Sequence, residues 1–214
     1  MRITLPNGTS VASDSSEVDR VLSAYFRREV TLASVAPEDF TIDQYHPDVA
    51  DIDPAGHRDT VVEQKLGSAF FAEAGLPSPV SVGSFFDLFP VSVLTTSTLD
   101  QLHERAPQSR FDLRRFRMNT IVGTNTAGFV ENDWVGHTLT IGDTARLSVA
   151  MPDPRCVMTT LAQEDLPQDL DVLRALTRHN RLPIENAGRL PCAGVYAVVE
   201  AAGTMRVGDP VALN

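Results

Sequence analysis

The run Arg146-Leu147-Ser148-Val149-Ala150-Met151 alternates the large apolar Leu147, Val149 and Met151 with Arg146, Ser148 and the small Ala150, and it follows Thr138 to Ile141 across a Gly142-Asp143 pair. A period of two sends successive side chains to opposite faces of a strand, and Gly-Asp is a turn dipeptide, so the two runs predict a β-hairpin. Asn119 to Gly123 before it, and Val195 to Val199 and Thr204 to Val207 after it, also read as short strands. Ala202-Gly203 separates the last two, and Gly208-Asp209-Pro210 follows them. Many short strands joined by Gly-centred turns predict a mainly β fold with a few helices, a closed or nearly closed barrel and not a parallel doubly wound sheet.

Three helices are expected among the strands. Ser13-Asp14-Ser15-Ser16-Glu17 supplies capping side chains ahead of Val18, Val21, Leu22 and Tyr25, which predicts a helix near residues 15 to 27. The Thr/Ser run ending at Thr98 can cap a helix carrying Leu99 and Leu102, and Pro167 stands ahead of a helix from about 168 to 178 bearing Leu170, Leu173 and Leu176. Residues 43 to 60, rich in Asp with Pro and His, show little apolar periodicity and read as an exposed loop or an excursion that folds only against something else. The expected organisation is a region 1–79 of partial strand, helix and loop packing on a barrel formed by residues 80–214.

With 214 residues and 43% hydrophobic side chains the chain can build a real core. Its net charge of -10 opposes a nucleic-acid partner, since the one basic cluster is Arg114, Arg115 and Arg117. No apolar stretch approaches the roughly 20 residues of a membrane span, and the first residues lack the apolar core of a signal peptide, so a cytoplasmic location is expected. Two cysteines, Cys156 and Cys192, are too few for a disulfide framework. The five histidines are scattered without a His-x-x-x-His pair and read as solvated surface residues.

Phosphate-loop, dinucleotide-binding and nucleophile-elbow signatures are absent, which removes several enzyme classes. What remains is Asp153-Pro154-Arg155-Cys156-Val157-Met158-Thr159-Thr160, a cysteine directly after an arginine at the end of an alternating strand. A neighbouring guanidinium favours thiolate, the form that binds soft metals or attacks sulfur. A buried, inert cysteine beside a salt-bridged arginine gives the same pattern.

Read together, several segments resemble the molybdenum-cofactor sulfurase C-terminal (MOSC) family, which includes the amidoxime-reducing enzymes. They are Phe85-Phe86-Asp87 with Pro90 and Leu94-Thr95-Thr96-Ser97-Thr98-Leu99, Arg114-Arg115-Phe116-Arg117-Met118-Asn119, Glu131-Asn132-Asp133-Trp134-Val135-Gly136, Leu139-Thr140-Ile141-Gly142, Arg155-Cys156-Val157-Met158-Thr159-Thr160, Gly194-Val195-Tyr196-Ala197 and Val207-Gly208-Asp209-Pro210-Val211. The resemblance implies a MOSC-type β-barrel. It implies Cys156 as the protein ligand of molybdenum, and Arg117 and Asn119 as contacts to the pterin cofactor. Asp87, Thr95, Thr96, Arg155 and Tyr196 follow as further cofactor-lining candidates, while Trp134 and Gly136 are given a packing role.

The implied activity is a molybdenum-dependent oxidoreductase that reduces N-hydroxylated substrates and receives electrons from partner proteins. The alternative is a sulfur-carrier or cofactor-binding domain in which Cys156 holds a persulfide, without redox catalysis of its own. A small-molecule substrate or cofactor is expected in both cases, with no nucleic acid or membrane partner. The sequence departs from the family pattern with Met118 for Pro, Ser92 for His and Arg27 for Gly. Much of the phosphate grip that an N-terminal Lys-Ser pair and arginine give the amidoxime-reducing relatives is expected to be missing, or supplied by Arg residues or another chain, since the single lysine is Lys65 and it does not precede a serine.

Overall fold

The computed structural model describes residues 1–214. Two strands, β1 (Arg2–Thr4) and β2 (Ser10–Ala12), form a small hairpin against helix α1 (Val18–Phe26). Leu5, Val11, Val18 and Leu22 bury a core of their own there, as the predicted apolar face requires. Arg27 closes α1 in the left-handed region, with φ of 53°, where the family resemblance leads one to expect glycine.

Residues 43 to 60 hold more structure than their composition suggests. Strands β3 (Thr41–His46) and β4 (Thr60–Lys65) pair in antiparallel register from Thr41↔Lys65 to His46↔Thr60, and α2 (Gly67–Glu73) follows. The hairpin is wet along most of its length, with Ile42, Tyr45 and Val61 all exposed, so it lacks the apolar alternation by which strands are read. Its connecting loop is anchored instead by Val49 and Ile52, which bury themselves against Leu173.

The main sheet contains β5 (Val91–Thr95), β6 (Thr120–Val122), β7 (Thr138–Ile141), β8 (Ala145–Pro154), β10 (Gly188–Ala201) and β11 (Val211–Leu213) in the order β11-β7-β8-β10-β5-β6. Strand β9 (Arg181–Ile184) adds to the first half of β10. One buried cluster gathers Val93, Val122, Leu139, Leu147, Val149 and Val195, with Val211 packed on it, so both ends of the sheet contribute to the same interior. A sheet whose two edge strands share one core has curled nearly into a barrel, as predicted.

The second core lies where helices α3 (Thr96–Arg105), α4 (Leu113–Phe116) and α5 (Asp171–His179) cover the sheet, through Leu94, Leu99, Leu102, Phe111, Phe116, Val172, Leu176 and Ala193. Adjacent Val93 and Leu94 face the two different cores, as strand alternation demands. On β10, Ala193 and Val195 also face different cores despite their even spacing, because the pairing with β8 shifts register between Cys192 and Val195. Gly194 sits in this irregularity with φ of 86°, and a Cβ there would lie 2.5 Å from the Val93 carbonyl oxygen and from Met118 Cε. Only glycine allows so close an approach.

The strand expected over Thr204 to Val207 does not form. The chain passes tightly over the β7–β8 turn at Gly203, and the Arg206 N–H donates to the Asp209 carboxylate at 2.7 Å, which makes a turn. Pairing with β7 falls to Val211–Leu213 instead. Strand β5 begins only at Val91, after the Phe- and Val-containing stretch from residue 80. No helix is long and apolar enough to cross a membrane.

Candidate functional site

Cys156 stands where β8 ends and a 3-10 turn, Val157–Thr160, begins. Its side chain is half-buried and its thiol is free. The turn is held from within: the Thr159 N–H and hydroxyl both donate to the Cys156 carbonyl, at 3.2 and 3.0 Å, and the Thr160 hydroxyl donates to the Val157 carbonyl at 2.7 Å. Thr159 and Thr160 are thus spent on backbone geometry, which explains the paired threonines after the cysteine.

Arg155 points away from solvent. It donates to Asp153 at 2.6 Å and to the Phe116 carbonyl at 2.6 Å, and its guanidinium lies over the Phe116 ring at 5.8 Å. Asp153 is 1% exposed. The positive charge beside Cys156 is therefore already met by a buried carboxylate. Tyr196 of β10 stacks on Phe89 with centroids 5.1 Å apart, and burial with Asp153 nearby pushes its phenol well above the usual range. Asp87 is exposed, and its charge adds to the upward push on both Asp153 and Tyr196. Arg155 Nε, on the residue next to the cysteine, is buried without a hydrogen-bond partner, and the Tyr196 hydroxyl faces the Asp153 carboxylate.

Burial pushes the Asp153 carboxyl up to about 6, and the opposing pull of Arg155 does not cancel it. An unfolded aspartate titrates near ~4, so between about pH 4 and 6 the folded chain holds this proton more tightly than the unfolded one. The resulting stabilisation is complete below the unfolded value and is lost as pH rises through the folded one, about 3 kcal/mol in all by order of magnitude. Other carboxylates, Asp112 and Asp165 among them, are shifted downward by their arginine partners and work in the opposite direction. The expected result is therefore a difference: urea unfolding of wild type minus Asp153→Asn should show wild type gaining stability as pH falls from 7 to 4. A flat difference would contradict the burial of this carboxyl.

The basic cluster divides three ways. Arg114 pairs with Asp112, Glu164 and Asp165 near the surface. Arg115 is fully buried, with its guanidinium donating to the carbonyls of Arg110, Thr159, Leu161 and Pro167 at 2.8 to 3.3 Å. Neither is free for an anion. Arg117 alone is exposed and makes no ion pair, and it occupies the left-handed region with φ of 53°, an uncommon state for a side chain of its size. It lines a cleft of about 300 Å³ together with Met158, Leu161, Ala162 and Gln163, so it shares a cavity with the residues just after Cys156. Cys156 itself does not line that cleft.

Asn119 accepts from the Ser92 backbone N–H at 2.8 Å and from its hydroxyl at 3.1 Å, while its own N–H donates to the Ser92 hydroxyl at 3.2 Å. Its carbonyl end thus ties the segment entering β6 to β5, and Ser92 is itself paired with Tyr196 in the sheet. Thr95 is not brought to the cleft. It is 0% exposed, accepts the Thr98 N–H as the N-cap of α3, and donates to Glu131 at 2.6 Å. The Thr96 hydroxyl accepts the Thr124 N–H at 3.2 Å. Arg155, Tyr196 and Cys156 come together with Asp153, while Thr95 and Thr96 belong to a separate structural network.

The sequence does not mark three charged residues as interior. Asp153, Arg115 and Glu131 are all buried, and nothing in their local spacing distinguishes them from surface charges. Glu131 is 0% exposed, and its burial raises the carboxyl despite bonds from Thr95 and Thr98. Cys192 is an unpaired, buried thiol, pushed up to about 12 by desolvation, as expected of an inert cysteine. The histidines are not all scattered: His46 and His57 lie with ring centroids 4.9 Å apart, on either side of Asp53.

The MOSC domain family model matches residues 82–212. The chain belongs to the MOSC domain family. It is similar to mitochondrial amidoxime reducing component 2 of Homo sapiens, 32% identical over 129 residues, which is 58% of this chain and 37% of that one. It is 32% identical over 136 residues to mitochondrial amidoxime-reducing component 1 of Mus musculus, 61% of this chain and 38% of the relative. Against component 1 of Xenopus laevis the identity is 33% over 129 residues, 58% of this chain and 36% of the relative. The matched stretch thus spans less than two fifths of each relative's own length.

Proposed function

We propose that this chain binds a molybdenum-pterin cofactor, with Cys156 as the protein ligand of the metal, and reduces N-hydroxylated substrates. The observation that carries the reading is the Cys156 turn: a half-buried free thiol at a rigid strand end, directly after Arg155, whose Nε is buried without a hydrogen-bond partner. A thiolate is the soft donor that molybdenum takes, and an unpartnered polar atom on the neighbouring residue suits a polar group that arrives with the ligand. Arg117, exposed and without an ion pair, would hold an anionic part of the cofactor, and the Asn119 amide would contact a pterin edge.

When bound, the cofactor supplies a two-electron donor, so that an N–OH group with two electrons and two protons gives N–H and water. The chain's own residues set the conditions. Arg155 and Asp153 neutralise each other and hold the strand end rigid, and the Thr159 bonds to the Cys156 carbonyl orient the cysteine. Electrons come from partner proteins. Arg115 and the β-barrel of residues 80–214 serve as the rigid frame, with residues 1–79 packed on it.

The test is molybdenum content together with intact mass, on protein produced in a molybdenum-replete host. Wild type is expected to carry close to one molybdenum per chain, with at least a tenfold loss in Cys156→Ser. Protein without molybdenum that instead carries one extra sulfur atom on Cys156 would favour a persulfide carrier over the reductase.

A further inference from the structure

His46, Asp53 and His57 are brought together by the β3–β4 hairpin. His46 ends β3, Asp53 lies in the connecting loop, and His57 stands three residues before β4 begins. One ligand atom from each falls within 4.8 Å of the others. His57 Nδ1 is 2.5 Å from Asp53 Oδ2, and His46 Nδ1 is 3.4 Å from the same oxygen. We propose that these three side chains bind a divalent transition-metal ion, zinc by preference, which pins the 47–59 loop in its folded form.

The decisive feature is His46. It is only 6% exposed, yet both its ring nitrogens lack a hydrogen-bond partner. A buried imidazole with neither nitrogen satisfied costs free energy that a hydrogen bond or a metal would offset. Its unsatisfied Nδ1 lies nearest the Asp53 carboxylate, the group on which His57 also converges.

Donor type selects the ion. Two imidazole nitrogens and one carboxylate oxygen suit zinc and its neighbours in the transition series, whereas calcium and magnesium demand sets dominated by oxygen. Three protein ligands leave the fourth tetrahedral position for water. With bonds of ~2.0–2.1 Å, tetrahedral ligand atoms lie roughly 3.4 Å apart. Binding therefore needs His57 to part from Asp53 by about 1 Å. His57 is free to do so, because its side chain is 37% exposed and sits in irregular backbone, which also gives the ion a way in.

The loop so pinned touches the rest of the fold. Val49 and Ile52 pack on Leu173 of α5, and Pro54 lies against Gly188, where no Cβ is accommodated. A metal at its base would couple the hairpin to α5 and to the β9–β10 turn. This proposal is independent of Cys156.

The experiment uses the full chain, stripped of metal by chelator, and titrates it with Co²⁺ alone and then Zn²⁺ alone. The expected result is one equivalent of Co²⁺ giving the visible d–d absorption of a four-coordinate site, displaced by Zn²⁺. Saturating Zn²⁺ should raise Tm by about 5 °C or more. Affinity should fall at least tenfold in His57→Gln and, separately, in Asp53→Asn, and stay unchanged in Cys156→Ser. His57→Gln alters a half-exposed side chain, and the wild-type titration stands whatever the variants do. No saturable binding to wild type would overturn the proposal, as would binding retained in both loop variants or lost in Cys156→Ser.

Discussion

Replacing Arg115 with methionine is expected to destabilise the protein by about 4 kcal/mol, because the guanidinium is a buried hub of carbonyl contacts and not a ligand-binding cation. It reaches the carbonyls of Arg110, Thr159, Leu161 and Pro167, and two of these belong to the turn after Cys156 and the residue that follows it. Methionine fills much of the volume but donates nothing, which leaves up to four acceptors short of a partner at roughly 1–3 kcal/mol each. Relief from burying a charge offsets part of that loss. Lysine keeps the charge but cannot fork to four carbonyls, so Arg115→Lys should recover only a fraction. Urea unfolding gives the magnitude. A second readout ties it to the site: the Cys156 thiol should react faster with a bulky thiol reagent in Arg115→Met, since the 157–160 turn loses its support. Stability within 1 kcal/mol of wild type would contradict the hub.

Glu131→Ala is expected to cost about 3 kcal/mol or more. The carboxylate accepts from Thr95 and Thr98 at 2.6 Å each, and all three residues are fully buried. Removing it strips two buried hydroxyls of their carboxylate acceptor and opens a cavity, two penalties that add. Thr95 is also the N-cap of α3, so the loss falls on the junction between β5 and that helix. Thr95 keeps the Thr98 N–H at 3.2 Å and has Ser97 Oγ at 2.9 Å as a substitute acceptor, so the heavier loss falls on the Thr98 hydroxyl. Glutamine at 131 should recover part of the stability, with one hydroxyl facing an amide N–H₂ that cannot accept. Thermal unfolding of both variants provides the check, and an unchanged Tm in Glu131→Ala would contradict the network.

These two residues also show what was legible in the sequence. Alternation at Arg146–Met151 and the Gly142 turn led directly to β7 and β8, because a strand with one face in a barrel interior must alternate. Leu173 and Leu176 marked α5 for the same reason, with 0% exposure for both. The β3–β4 hairpin was not legible, since a ribbon exposed on both faces has no apolar period. Thr204–Val207 has strand-forming residues, yet the turn held by Asp209 prevails over that propensity.

The candidate site was half legible. Cys156, Arg155 and Tyr196 do meet, while Thr95 is a buried cap. Asp153, the partner that neutralises Arg155, is visible only in three dimensions. A burial state belongs to the whole fold, so Arg114, Arg115 and Arg117 look alike in sequence. They have three different fates, an exposed ion pair, a buried hub and a free cation at a cleft.

The central claim, that Cys156 ligates molybdenum, is tested most directly by molybdenum-edge X-ray absorption on cofactor-loaded protein. Wild type is expected to show one more sulfur neighbour on the metal than Cys156→Ser. An equal number of sulfur neighbours in the two proteins would contradict it.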